Sequence, residues 1–252
     1  MTFFFRSASV IAALIFSIAG YSAELTIKYR QQPEQKIVLP DGLALAQFYA
    51  KMALPEDIDW NTALLSNSVA QAQSESAFNT LNIKLNNLEN HWLRENETAL
   101  TQSLRQLRRE IASLHTAGRI HTRLDPDLVN LRNEYNRPLR GSYTLYLSEY
   151  TDVLYLVGFI NSKSSVTLKS GWSVEQYIAD IKLLSGADNS YAYLIAGNGE
   201  WQKVPVAYWN KKHIEPASGS TLFVGFSPDV LPEGMADLNE LVAAYIANRI
   251  PQ

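Results

Sequence analysis

Hydrophobic and polar residues alternate near the start of the chain, and this period of two predicts strands. Leu25–Tyr29 alternates throughout, and Ile37–Leu39 predicts a second strand that ends at the turn signal of residues 40–42. Leu43–Met52 predicts a short helix, which Pro55 ends. The first part of the chain therefore indicates a small sheet with one helix.

A period of three to four residues replaces this alternation between Ser68 and Ala117, a segment without glycine or proline. The apolar positions form two stripes, Phe78, Leu81, Leu85, Leu88 and Trp92 and then Leu100, Leu104, Leu107, Ile111 and Leu114. One continuous helix here would be roughly 70 Å long at about 1.5 Å per residue, too long for a small domain to cover. We predict a helical hairpin that turns near Arg94–Asn96, with Asn96 as an N-cap and Gly118 as the stop.

Aromatic and β-branched residues dominate from Arg119 onward and predict a mixed sheet crossed by one helix. The predicted strands are Thr144–Leu147, Val153–Ile160, Ser165–Leu168, Tyr191–Ile195, Trp201–Val206 and Thr221–Phe226. Ser173–Leu184 predicts the helix, and Gly197–Gly199 predicts a tight hairpin turn. Met235–Arg249 predicts a final amphipathic helix, which is too short and too polar to cross a bilayer. These patterns place the chain in the α+β class.

The first 22 residues have the three-part pattern of a secretory signal peptide. Arg6 supplies the positive charge, Ala8–Ala19 supplies an apolar run, and Gly20–Ala23 supplies small residues for cleavage after Ser22 or Ala23. The apolar run has about 12 residues, whereas a transmembrane helix needs about 20. We therefore predict an exported, periplasmic protein that does not span the membrane.

Composition and motifs exclude several classes of site. The 252 residues include no cysteine, so disulfides, lipid attachment at a lipobox and thiolate ligands are excluded. A formal net charge of −3 without a run of Lys and Arg does not indicate nucleic-acid binding. The four histidines lack metal-ligand spacing, and no nucleotide-binding loop or nucleophile elbow is present. We predict no catalytic residue, no metal and no cofactor.

Two close acidic pairs outside the predicted helices leave an enzymatic alternative open. They are Asp57 with Asp59 and Asp125 with Asp127. Glycan cleavage needs two carboxylates of different pKa, so a glycan-processing enzyme would use such a pair. The sequence Asp125-Pro126-Asp127 is more typical of a turn whose carboxylates cap the following segment.

Most aromatic residues after position 140 are expected to fill the core, because strands are rich in aromatic side chains. The segment Tyr208-Trp209-Asn210, followed by Lys211 and Lys212, is the exception. Sugar rings stack on exposed aromatic faces, and lysines attract acidic sugars. Tyr208, Trp209 and Asn210 are therefore candidate polysaccharide-binding residues.

Several segments, in order and spacing, resemble the capsule-biosynthesis GfcC family over nearly the whole mature chain. They are Ala117–Ile120 with Leu124–Asp127, Val206–Asn210, Leu222–Phe226, and Leu238-Asn239 with Asn248–Pro251. The resemblance implies two β-grasp-like domains similar to those of the outer-membrane polysaccharide exporter Wza. The first would cover residues 23–140 with a helical insert at about 68–117, and the second residues 141–230. An amphipathic C-terminal helix would cover residues 231–252.

The resemblance also implies a role in capsule assembly or export without an established enzymatic activity. The partners would be an acidic polysaccharide, the outer-membrane polysaccharide export protein, or both, and we expect a monomer. Arg119 matches the arginine of the family's Gly-Arg motif, which is expected to face a cleft. It could offer a planar donor fork to an acidic glycan or form a salt bridge with Asp125 or Asp127. A glycan-processing enzyme and a purely structural envelope adaptor remain the alternatives.

Overall fold

The computed structural model describes residues 22–30 and 32–252, so the predicted signal peptide, residues 1–22, lies outside it except for Ser22. The strands are β1 Ser22–Tyr29, β2 Gln35–Pro40, β3 Leu43–Ala44, β4 Leu64–Asn67, β5 Pro138–Leu139, β6 Ser142–Leu147, β7 Val153–Gly158, β8 Ile160–Asn161, β9 Ser165–Thr167, β10 Lys182–Leu183, β11 Tyr191–Ile195, β12 Trp201–Pro205 and β13 Thr221–Val224. The α-helices are α1 Leu45–Lys51, α2 Ser68–Arg94, α3 Thr98–Ser113, α4 Pro126–Leu131, α5 Val174–Ala179 and α6 Leu238–Ile246. The chain is α+β, as predicted. Within the described ranges, no helix combines the length and apolar character needed to span a membrane.

The first sheet has the strand order β2-β1-β6-β4. β1 pairs in parallel with β6, whereas the β1–β2 and β4–β6 pairs are antiparallel. Alternate residues of β1 are buried, which is the pattern expected of a strand with one covered face. Helices α1 and α4 supply Leu45, Phe48 and Val129 to the core on that face. The β-grasp assignment of this unit stays a prediction.

The boundary predicted between residues 140 and 141 differs from the observed change of sheet. Strand β6 lies between β1 and β4 in the first sheet, and its residues Leu145 and Leu147 belong to the first core. Sequence alternation predicted this strand correctly but could not reveal its partners, because pairing depends on long-range register. The chain therefore leaves the first sheet after Leu147.

The second sheet has the order β12-β11-β13-β7-β9, and apolar side chains cover both of its faces. In β11, Ala192 and Leu194 pack toward the side where α5 lies, while Tyr193 and Ile195 pack toward the opposite core. The predicted helix Ser173–Leu184 is shorter than expected. It ends at Ala179 because residues 182–183 form β10, which pairs with β8.

The helical hairpin follows β4, a strand of the first sheet, but it packs against the second sheet. Its two apolar stripes share one core with β7, β11, β13 and α6. The turn between α2 and α3 lies at residues 95–97, close to the prediction. Asn96 is not the N-cap, however, since it adopts a left-handed φ of 59° and Glu97 precedes the first helical residue. A left-handed residue at a helix end is a common way to terminate it.

Gly118 does not terminate α3, which ends at Ser113, five residues earlier. A Cβ atom at position 118 would lie 2.1 Å from the carbonyl oxygen of Ala70 in α2. The Gly118 amide also donates to Oε1 of Gln71 over 2.9 Å. This glycine therefore allows the chain to pass close to the beginning of α2.

Helix α6 is shorter than the predicted Met235–Arg249 and docks on this chain. Its residues Leu238, Val242 and Ile246 are buried in the core shared with the hairpin. Tyr245 stacks on Phe78 of α2, with ring centroids 4.5 Å apart. Asp237 lies at the N-cap position of α6, but its carboxylate makes no capping hydrogen bond and accepts from Lys84 Nζ at 2.7 and 2.6 Å. The apolar face of α6 is therefore covered by α2, α3 and the second sheet.

The shared core predicts that α2 stabilises the second sheet. Leu85 is fully buried, whereas Ile83, two residues earlier in the same helix, is 61% exposed. We expect Leu85→Ala to lower the free energy of unfolding by about 3 kcal/mol, because a buried leucine leaves a cavity. Ile83→Ala, the matched control, should change it by no more than about 0.5 kcal/mol.

Urea unfolding measures both changes, and hydrogen exchange locates them. The amides of β11 and β13 should exchange faster in Leu85→Ala than in the wild-type protein. Unchanged protection of these strands, with faster exchange confined to α2 and α3, would contradict a stabilising role of the hairpin in the second sheet.

Candidate functional site

The segment after α3 runs alongside the end of the chain and brings two arginines to one place. The Ala117 amide donates to the Asn248 carbonyl over 2.9 Å, and the Ile250 amide donates to the His115 carbonyl over 2.8 Å. Thr116 and Arg249 form an isolated antiparallel bridge. These backbone contacts fix Arg119 and Arg249 relative to each other.

The Arg119 guanidinium binds backbone carbonyls from three distant parts of the chain. Its Nε donates to Ala247 over 2.8 Å, its Nη1 to Ala63 over 3.1 Å, and its Nη2 to Gly197 over 3.0 Å. A longer contact of 3.4 Å joins Nη2 to the Arg249 carbonyl. Four of the five N–H donors of the side chain are thus engaged. Burial, with 8% of the residue exposed, lowers the pKa of Arg119 to about 10.

Neither interpretation offered for Arg119 by the sequence describes these contacts. Within the described residues it forms no salt bridge, and the Asp125 carboxylate instead accepts from the amides of Asp127 and Leu128 at the start of α4. The planar guanidinium fork, which could bind a glycan, donates its hydrogen bonds to backbone carbonyl groups. Arg119 lines a cleft, as expected, but its donors hold the wall of that cleft together.

The close approach of the Arg119 side chain requires a glycine in the β11–β12 turn. Gly199 adopts a φ of 83°, and a Cβ there would lie 2.5 Å from Arg119 Cδ. The hairpin predicted at Gly197–Gly199 is present, and the Gly199 amide donates to the Ala196 carbonyl over 2.9 Å. The glycines therefore serve both the turn and the packing of the arginine.

Arg249 is the second cation of the cleft, and the sequence analysis did not single it out. Its guanidinium carbon lies 3.2 Å from the centroid of the Tyr155 ring, and its Nη2 donates to Oε1 of Gln252 over 3.1 Å. Burial lowers the pKa of Arg249. Arg249 and Tyr155 are far apart in the sequence, so no local sequence pattern predicts their contact.

The cleft that both arginines line is small. Its volume of about 20 Å³ exceeds the space that one water molecule needs, but it is too small for a sugar ring. Thr62, Ser148 and Thr221 also line it, and the Thr62 and Ser148 hydroxyl oxygens lie 2.9 Å apart. The cleft can accept a small polar group and excludes a whole saccharide unit.

The predicted aromatic segment lies on the surface, in a turn after β12. Tyr208 is 92% exposed and Trp209 is 72% exposed. The turn is closed by the Asn210 amide, which donates to the Ala207 carbonyl over 3.0 Å. The Asn210 side chain anchors it to the start of β11, since its Nδ2 donates to the Ser190 carbonyl over 3.3 Å. Two aromatic rings are thus presented to solvent on a fixed backbone.

Arg119 and the aromatic turn are not brought together. Arg119 contacts Gly197 before β12, whereas Tyr208–Asn210 follows the end of that strand. Five strand residues at about 3.3 Å each separate the two places by roughly 16 Å. The candidate residues therefore form two sites of different chemistry.

Three of the four carboxylates in the acidic pairs accept hydrogen bonds from nearby groups. Asp57 accepts a hydrogen bond of 2.8 Å from the Tyr29 hydroxyl, and Asp59 Oδ1 accepts from the Asn61 amide over 3.0 Å. Asp125 caps α4, as its sequence context indicated. In residues 22–30 and 32–252, no group of three or more histidine and acidic side chains is placed to hold a metal ion.

Replacing Arg119 should destabilise the protein. Arg119→Ala leaves the carbonyl oxygens of Ala63, Gly197 and Ala247 buried without donors, so we expect a loss of about 3 kcal/mol in the free energy of unfolding. Arg109→Ala is the control, because Arg109 is exposed on α3 and should change stability by no more than about 0.5 kcal/mol. Urea unfolding of both variants checks this, and equal stability of the two would refute a structural role for Arg119.

Comparisons with known proteins identify the same family that the sequence motifs resemble. The model described as Capsule biosynthesis GfcC, N-terminal matches residues 23–150, and that described as Capsule biosynthesis GfcC C-terminal matches residues 162–251. The Escherichia coli (strain K12) protein described as Uncharacterized protein YjbG is 39% identical over 150 residues. That alignment spans 60% of this chain and 61% of the relative. The chain belongs to the capsule biosynthesis GfcC family.

Proposed function

We propose that this chain is a non-enzymatic periplasmic factor in capsule biosynthesis that binds an acidic polysaccharide at the Tyr208–Trp209 turn. The family is implicated in capsule biosynthesis. The observation on which the proposal rests is the exposure of two adjacent aromatic rings, 92% and 72%, on a turn held by hydrogen bonds. The predicted signal peptide supports the periplasmic location.

Tyr208 and Trp209 differ from the other exposed apolar residues because they are adjacent aromatic residues in one turn. Each ring offers a large flat apolar face, and contiguous apolar surface of this kind often marks a binding site. The axial C–H groups of a pyranose match such a face. Because the turn is already ordered, binding would cost little conformational entropy.

Positive charge beside the rings favours an acidic polymer. Lys211 Nζ lies 5.8 Å from the centroid of the Tyr208 ring and 3.2 Å from Oε1 of Glu175. Lys212 is exposed, and in the described part of the chain it forms no salt bridge. Glu175 compensates the charge of Lys211, so Lys212 is the lysine that would attract carboxylates along a polysaccharide, with an affinity that falls as salt is added.

Removing both rings should weaken polymer binding without unfolding the protein. We expect Tyr208→Ala/Trp209→Ala to weaken binding of the purified capsular polysaccharide at least about tenfold, as loss of central aromatic contacts does at other interfaces. Tyr150→Ala is the matched control, because Tyr150 is also exposed, at 63%, but lies outside the turn. Isothermal titration calorimetry measures binding, and thermal melting confirms that each variant is folded.

The purified protein and polysaccharide also distinguish the proposed function from a glycan-processing enzyme and from a structural adaptor. Shortening of the polymer by the wild-type protein, abolished in Asp125→Asn, would favour the glycan-processing enzyme; asparagine keeps the helix cap while removing the acid. Capture of the outer-membrane export protein without any binding of polymer would favour the structural adaptor. Equal polymer affinity of the double variant and the wild-type protein would refute the aromatic turn as the binding site.

A further inference from the structure

The cleft between the two sheets contains more positive charge than its surroundings neutralise. Arg119 and Arg249 both line it, and across residues 22–30 and 32–252 neither takes part in a salt bridge. Arg119 is buried, whereas Arg249 is half-buried. A cation withdrawn from water without a counter-charge is costly, so buried charges in proteins are usually paired. The carbonyl oxygens around Arg119 supply only partial negative charge.

Arg249 differs from Arg119 in the number of guanidinium N–H donors that form no hydrogen bond within the described residues. The described residues accept one hydrogen bond from its guanidinium, from Nη2 to Gln252 Oε1. The Tyr155 ring covers one face of the guanidinium plane at 3.2 Å, which holds the plane in position. Donors of a guanidinium lie in its plane, so stacking leaves most of them available at the edge.

We infer that Arg249, stacked on Tyr155, forms the binding group of a carboxylate subsite in this cleft. A guanidinium edge and a carboxylate match as paired donors and acceptors. Thr62 and Thr221 also line this cleft. The Thr62 hydroxyl is already engaged, because it donates to the Asp59 carbonyl over 2.9 Å. Arg119 contributes positive potential and holds the wall, and it is not assigned a direct contact with the ligand.

The size of the cleft limits the ligand to a carboxylate that projects from its parent molecule. A volume of about 20 Å³ accommodates a group slightly larger than one water molecule, so a carboxylate head enters while a sugar ring stays outside. A uronic-acid unit of the polymer and a small free carboxylate share this chemistry. That the polymer is the source rests on the proposed function, whereas the subsite itself does not.

Titration with simple carboxylates tests the subsite without the polymer. The full chain, labelled with ¹⁵N, is titrated with sodium glucuronate, with sodium acetate and with neutral glucose at constant ionic strength. We expect glucuronate to shift the amide resonances of Gly197, Gly219 and Ala247, which line the cleft, and glucose to leave them unchanged. A stronger response to glucuronate than to acetate identifies a sugar-borne carboxylate, and equal responses identify a small free one.

Two substitutions of Arg249 separate charge from packing. Arg249→Met keeps an unbranched apolar stem but removes the guanidinium, and it should weaken glucuronate binding at least about tenfold, the usual effect of losing a charged hydrogen-bonding partner. Arg249→Lys keeps the charge without the planar fork and should retain part of the affinity. Arg109→Met, on exposed α3, controls for net charge and should bind glucuronate as the wild-type protein does.

The outcomes for this subsite and for the aromatic turn are distinguishable. Glucuronate shifts that persist in Tyr208→Ala/Trp209→Ala support a separate subsite even where polymer binding is lost. Absence of shifts in the wild-type protein, or equal shifts in the wild-type and Arg249→Met proteins, would overturn the inference. A lower melting temperature of Arg249→Met with unchanged glucuronate affinity would assign Arg249 a purely structural role.

Discussion

The junction of the two sheets depends on one buried cation that binds carbonyl groups. Arg119 connects the residue before β4, the β11–β12 turn and the end of α6 through its Nε, Nη1 and Nη2 atoms. Carbonyl groups compensate the charge only in part, and burial accordingly depresses the pKa of the guanidinium. The need to accommodate this side chain explains Gly199, and the same contacts hold Arg249 in the cleft. The arginine is therefore first a positioning residue, through which the shape of the cleft is determined.

The helical hairpin satisfies a different constraint: the second sheet is apolar on both faces, and both faces must be covered. Helix α5 has six residues and covers one side, whereas α2, α3 and α6 form a layer on the other. Glu110 of α3 also accepts from the Gly158 amide of β7, in the second sheet, over 2.9 Å, and Gln106 donates to the Ile160 carbonyl of β8 over 2.8 Å. Because the hairpin follows a strand of the first sheet and packs on the second sheet, the largest core joins the hairpin to the second sheet. Helix α6, in turn, is held by contacts within this chain.

Local periodicity identified the longest helices and strands, but it missed β4 and α4 and could not identify the partners of any element. The spacing of Leu81, Leu85 and Leu88 identifies a helix, since neighbouring turns present these residues on one face. The same spacing cannot say which sheet the face covers, and alternation in β6 cannot say which strands flank it. Gly118 follows a helix in sequence, as a terminating glycine does, yet its role is a close approach to α2. For the candidate site, the exposure of Tyr208 and Trp209 agrees with their polar sequence context, whereas Arg249 was missed because its contact with Tyr155 joins residues 94 positions apart.

The two candidate sites suit an extended polymer better than a small ligand. One presents exposed aromatic faces and the other a cationic cleft too small for a sugar ring, and about 16 Å of strand separates them. A small carboxylate occupies only the cleft and gains nothing from the rings. A chain of sugars with repeated carboxylates can reach both places, and the second contact is then intramolecular, with a high effective concentration. Modest affinity at each site would give firm but reversible retention of a polymer, which is what the proposed function requires.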